Sequence, residues 1–208
     1  MTKHVGVGGG VIPAAGPASY EHYETPACAT RGLLKAEGHR LPLTVWEPCA
    51  GKGAISRVVM ASGRSVFASD LLAYEGADSH VRPGVDYLLT RRPPHPRISC
   101  IVSNFPFADN DACIEHGLDL GCRVICLMRW AWAEGVDGAI RGSGLRSTLV
   151  DKHLTHVWLG KERLPMMHRE DYDGPRLAKG AVPYAWFSFS PNPPLRRGWL
   201  VRRISWGK

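Results

Sequence analysis

Three short stretches hold the residues whose types and spacing could do chemistry. The first is Asn104-Phe105-Pro106-Phe107, directly after the apolar run ISCIV at 98–102. An amide, a proline and two rings at the end of a buried strand could floor an active site, or could simply stop the strand. The second is VWEPCAGKGAI at 45–55, where Glu47 ends an apolar run and Gly51 and Gly53 follow. Glycines there let the backbone approach a ligand closely, and the N–H groups of a helix beginning near Gly53 would face an anionic or carboxylate group. No Ser or Thr follows Lys52 and no Gly stands five residues before Gly51, so the stretch is not a P-loop; nor is it a complete Gly-x-Gly-x-x-Gly. The third feature is a pair of acids. Asp70 ends SVFASD at 65–70, where an acid in nucleoside-binding sheets accepts hydrogen bonds from sugar hydroxyls. Asp86, in GVDYLL at 84–89, stands where it could meet a purine ring. Taken singly, either acid could equally be a cap or a surface turn residue.

These residues need elements to position them. From residue 44 onward short apolar runs alternate with helix-like stretches, the pattern of an α/β sheet. Strands are predicted at 44–49, 65–70, 84–89, 98–103 and 123–132. Helices are predicted at 53–63, 110–121 and 143–153, with Gly63 and Gly121 closing the first two. Two more β-rich runs, 155–164 and 182–190, have no helix between them and are expected to pair antiparallel. Residues 1–19, rich in Gly, Pro and Ala, read as a flexible arm, and 20–208 as one domain. GVGGG within the arm follows no strand and precedes no helix, which removes a phosphate-loop reading.

Composition narrows the class. The chain has 208 residues, 44% apolar and 22% charged, as in soluble globular domains. No run approaches the roughly 18 apolar residues of a membrane span, and no signal-peptide core is visible, so a cytoplasmic protein is expected. Cys28, Cys49, Cys100, Cys113, Cys122 and Cys126 form no Cys-x-x-Cys pair, and several lie in apolar runs, so reduced and mostly buried thiols are expected. His153, His156 and His168 have no metal-ligand spacing, and no metal is expected. A net charge of +7 suggests an anionic partner. Its densest stretches are TRRPPHPR at 90–97 and PLRRGWLVRRISWGK at 194–208, where Trp199 and Trp206 interleave the arginines.

Taken in order, EPCAGKG (47–53), SD (69–70), VDYLL (85–89) and SNFPF (103–107) resemble the motif series of the S-adenosylmethionine-dependent amino-methyltransferases. The closest likeness is to the N6-adenine DNA methyltransferases, whose signature is Asp/Asn/Ser-Pro-Pro-Tyr/Phe after the fourth strand. YETPACATRGLL at 23–34 is similar to the Tyr-x-Thr-Pro segment that precedes the glycine motif in many of these enzymes. The resemblance spans about residues 20–132. It implies a Rossmann-like methyltransferase fold, a mostly parallel seven-stranded sheet with an antiparallel C-terminal strand. It implies S-adenosylmethionine as cofactor, held by Tyr23, Thr25, Pro26, Glu47, Pro48, Cys49, Gly51, Gly53, Asp70 and Asp86. It also implies that Asn104, Phe105, Pro106 and Phe107 hold the acceptor amine. Phe105 stands where the family has its first proline. Its carbonyl is retained, but its ring is larger and its φ less constrained.

The implied chemistry is methyl transfer to an exocyclic amine, a poor nucleophile because its lone pair is delocalised into the ring. Two carbonyl-type acceptors, the Asn104 side chain and the Phe105 backbone, would draw that lone pair out of conjugation, and Phe107 would stack on an extruded base. The expected partner is nucleic acid, DNA before RNA, with no membrane. Loose sequence specificity is expected in the absence of an evident target-recognition domain. RNA and protein-glutamine methylation remain open, as does a non-catalytic nucleic-acid-binding domain with a vestigial cofactor fold.

Overall fold

The structure is a computed structural model and describes residues 24–134, 144–164, 182–194 and 198–206. A helix, α1 (Ala27–Glu37), opens the described chain. Three central strands follow the sequence pattern: β1 (Thr44–Glu47), β4 (Cys100–Ser103) and β5 (Arg123–Arg129). All are buried along nearly their whole length, which is why they read as continuous apolar runs rather than alternating ones. β2 (Ser65–Ser69) lies beside β1, and a two-residue β3 (Val81–Arg82) lies beside β2. The C-terminal part contributes β6 (Leu154–Gly160), β7 (Tyr184–Phe189) and β8 (Leu200–Ile204). The sheet order is β3-β2-β1-β4-β5-β7-β6-β8. β7 runs antiparallel to β5 and β6, and every other pairing is parallel. This is the expected α/β class, a mostly parallel sheet with one reversed strand near the C-terminus.

Several expectations need correction. Among the described residues the sheet has eight strands rather than seven, because part of the basic tail forms β8. The third strand is Val81–Arg82, not 84–89. Asp86 accepts a hydrogen bond from Leu88 N–H at 3.0 Å and so closes a 3-10 turn over Tyr87–Leu89 instead. The predicted helix at 143–153 is a short α-turn, α4 (Leu145–Thr148), that widens into a π-helical turn over Leu149–His153. Residues 1–19, the connection 165–181 between the two C-terminal β-rich runs, and Tyr23 and His168 lie outside the described residues.

Two helices fix the faces of the sheet. α2 (Ala54–Ala61) buries Ile55 and Val59 on the same face as α1, where Val45, Cys100, Ile125 and Trp186 meet them. α3 (Asn110–Asp119) covers the opposite face through Cys113, Ile114, Gly117 and Leu118. Gly117 is there for closeness. A Cβ on it would lie 2.6 Å from Val124 Cγ2 and 2.7 Å from the Tyr87 hydroxyl. Glu37, fully buried at the end of α1, is ion-paired with Arg123 of β5 and ties that helix to the sheet. All six cysteines are free thiols; four are buried, while Cys28 and Cys49 are half-buried. Among the described residues, no helix is long and apolar enough to cross a membrane, and no group of acids, His and Cys is arranged to hold a metal ion.

Candidate functional site

The strand order reverses between β1 and β4, and a crevice opens beyond their carboxyl ends, as it must in an open α/β sheet. The chain segments leaving four strands or turns meet there. The turn after β1 supplies Glu47 to Lys52, the end of β2 supplies Asp70 to Leu72, the segment after β3 supplies Val85 to Leu88, and the end of β4 supplies Asn104 to Phe107. Thr25, just ahead of α1, closes one end, and Asp109 and Cys113 of the α3 start close another. Of the residues read from the sequence, Thr25, Glu47, Pro48, Cys49, Gly51, Asp70, Asp86, Asn104, Phe105, Pro106 and Phe107 line this one cleft. Pro26 and Gly53 stand next to lining residues, and Tyr23 falls outside the described chain. Tyr74 and Cys113 also line the cleft, and no motif pointed to them; so do Lys52 and Tyr87, which lie inside EPCAGKG and VDYLL.

Local rules shape the first wall. Gly53 caps α2 in the left-handed region at φ 92°, and a Cβ there would press on Asp78 Oδ2 at 2.9 Å, so only glycine fits. Glu47 reaches under the turn and accepts the Ser56 N–H at 2.8 Å, satisfying one of the orphan donors of the α2 first turn. Asp70 accepts from two backbone amides, Gly51 N–H at 2.8 Å and Leu72 N–H at 3.0 Å. It thus holds the β1 and β2 turns together.

The electrostatics are unusual for so basic a chain. Five acids, Glu24, Glu47, Asp70, Asp86 and Asp109, line the cleft against one base, Lys52. Burial pushes the Glu47 carboxyl up to about 8, against hydrogen bonds from Ser56 that lower it, and nearby Asp70 adds to the rise. Hydrogen bonding with Cys113 and burial both push the Cys49 thiol up, so that Cys49 is unionised lining rather than a nucleophile.

The second wall carries the departure from the family pattern. Phe105 is 2% exposed, and its ring stacks on Tyr87 at 5.6 Å with an interplanar angle of 14°. Tyr87 in turn meets Trp46 edge-on at 5.2 Å and donates its hydroxyl to the Cys113 carbonyl at 3.0 Å. The larger ring is therefore absorbed by the core under α3. Phe107 is half-buried and packs towards the α1 side of the sheet, with the Arg129 guanidinium 4.6 Å from its ring centre. Trp132 is buried, its indole N–H donating to Asp111 at 2.7 Å, and Trp130 packs on Phe187; both belong to the core.

No family model and no curated protein matches the sequence. Solved structures match the fold. A methyltransferase subunit of a type I restriction-modification system from Streptococcus thermophilus aligns with a TM-score of 0.51 at 10% identity, over 86% of this chain and 45% of that one. An RNA methyltransferase candidate from Pyrococcus horikoshii gives 0.51 at 16% identity, over 82% of this chain and 86% of that one. A hemolysin candidate from Lactococcus lactis gives 0.51 at 12% identity, over 86% and 94%. The chain spans less than half the length of the restriction subunit that it matches. Sheet order and neighbours together define the class: the chain has the Rossmann-like methyltransferase fold.

Proposed function

We propose that the chain transfers a methyl group from S-adenosylmethionine to an exocyclic amine, the N6 of adenine in DNA. One observation carries this reading: a single cleft at the switch point joins the glycine turn, Asp70 and Asp86 to Asn104–Phe107. The donor set suits the cofactor. Acids spaced along an otherwise basic protein's cleft match a ligand that bears an ammonium, a sulfonium, a sugar diol and an exocyclic amine. Glu47 and Thr25 would take the methionine end, Asp70 the ribose, and Asp86 the adenine, with Val85 and Leu88 as apolar walls. Pro26, Pro48, Cys49 and Gly53 shape the same wall. When bound, the cofactor supplies a methyl group made electrophilic by its sulfonium.

The chain's own residues supply orientation and charge stabilisation. Asn104 Oδ1 and the Phe105 carbonyl oxygen accept one N–H each from the acceptor amine, which frees its lone pair and offsets positive charge building on nitrogen. Pro106 stiffens the turn and Phe107 stacks on the base. A base within a duplex cannot reach such a turn, so the target is flipped out or single-stranded. The matched folds include proteins described as acting in DNA restriction-modification and on RNA, and the basic surface suits either nucleic acid.

The test is methyl transfer from isotopically labelled S-adenosylmethionine to DNA, RNA and protein, followed by nucleoside and amino-acid analysis. N6-methyladenine in DNA is the expected product. Asn104→Ala should lower the rate by about 10²-fold or more while leaving cofactor affinity nearly unchanged. Wild-type activity in that variant removes the catalytic assignment, label in RNA or glutamine moves the acceptor, and failure to bind cofactor leaves a vestigial fold.

A further inference from the structure

Arg129 ends β5, and β5 outruns its neighbour. Ser103, the last residue of β4, is in register with Cys126, so Leu127, Met128 and Arg129 project past it beside the turn that carries Phe107. The backbone there is held on both sides of the arginine. Arg129 is in register with Tyr184 of β7, and Trp130 N–H donates to the Pro183 carbonyl at 2.8 Å. Its side chain is different: it is exposed, and its guanidinium carbon lies 4.6 Å from the centre of the Phe107 ring. Among the described residues it forms no ion pair.

We propose that Arg129 occupies the acceptor's stacking place on Phe107 in the free protein and moves onto the flanking phosphate when a base enters. This rests on the reading of Phe107 as the stacking surface. A guanidinium that stays exposed is held weakly by a ring, and base–aromatic stacking is the stronger contact, so the base wins the place. A guanidinium left over the base would also oppose the positive charge that builds on the reacting nitrogen. Displaced, the same planar fork matches a phosphate bidentately, which neither the ring nor a free nucleoside offers it. The rigid strand end and long side chain make a short arm with two resting places. Arg129 is thus a positioning residue that favours a base in a strand over a base alone.

The two roles predict opposite effects on two probes. With S-adenosylhomocysteine present, 2-aminopurine nucleoside and a single-stranded oligonucleotide containing one 2-aminopurine are titrated into the full chain and into Arg129→Ala and Arg129→Lys. Arg129→Ala should bind the nucleoside about 3-fold tighter and the oligonucleotide about 5- to 10-fold more weakly. The slope of log affinity against log salt should fall by about 0.7 for the lost phosphate contact, and Arg129→Lys should restore it. An unchanged melting temperature is expected, since the side chain is exposed. If Arg129→Ala weakens both probes alike, or alters neither, the arm has no such function. A wild-type protein that holds S-adenosylhomocysteine but neither probe refutes the base-stacking role of Phe107, and the proposal with it. A wild-type protein that holds no S-adenosylhomocysteine refutes the methyltransferase reading itself.

Discussion

Glu47 does two tasks that conflict in the free protein. It secures the α2 first turn through Ser56, and it sits 2% exposed where a charge is costly. Burial raises its carboxyl from an ordinary 4.5 to about 8, so the folded chain holds that proton more tightly than the unfolded chain does. The stability it contributes is therefore complete below the unfolded value and is lost as pH rises towards about 8. Glu47→Gln keeps an acceptor for Ser56 and removes the titration. Its melting temperature should fall less than that of the wild type between about pH 5 and about pH 9. Parallel melting profiles would show that the carboxyl does not titrate in that window. The residues legible in the sequence were of this kind, acids and glycines that punctuate strand ends. Tyr87 and Cys113 were not, because they reach the cleft only through the approach of α3 and the Tyr87–Leu89 turn to β1, whereas Lys52 comes with the glycine turn itself. Nothing in the sequence singles out Arg129; only the overhang of β5 places it on Phe107.

At the scale of elements, α3 sits as near the sheet as a helix can. Gly117→Ala would force Val124, Ile101 or the Tyr87 hydroxyl aside, and overpacking of this kind costs about 1–3 kcal/mol, more than the helix gains from alanine. A lowered melting temperature is the expected result, with cofactor affinity reduced because Tyr87 and Cys113 line the cleft. A melting temperature equal to that of the wild type would mean that α3 can lift off the sheet without loss. The buried strands announced themselves by apolar runs, whereas three elements did not. GVDYLL has the alternation of a strand, but the Asp86 side chain takes the Leu88 N–H that a strand would have used. α1 buries mostly small residues, Ala29, Thr30 and Gly32, with Leu33 as its one bulky apolar side chain on that face, so it lacks the continuous bulky stripe that marks an amphipathic helix. β8 carries Arg202 and Arg203 because it is an edge strand, where charge discourages further pairing.

Across the whole molecule, the basic tail proves to be structural as well as charged. Trp206 is 4% exposed; its indole N–H donates to the Glu162 carbonyl at 2.6 Å and its backbone N–H to the Glu162 carboxylate at 3.1 Å. The same ring packs against Gly32 of α1, so the last described residue clasps the first described helix. Trp206→Ala should cost about 3–5 kcal/mol and be read as an early, still cooperative melting transition. Retained stability would mean that α1 is held by Trp186 and Glu37 alone, through Ala29 and Arg123. The reversed strand has a consequence in time. β6 pairs with β7 and β8, both of which follow it in the chain, and β5 meets its second neighbour only when β7 arrives. A ribosome therefore delivers β1 to β5 as a sheet whose β5 edge still lacks its second neighbour, and β6 as a strand with nothing yet to join. β7 has to enter between them as a wedge. That closing step joins distant parts of the chain, so it is expected to be the slow step of folding and the stage at which a nascent copy can pair with another.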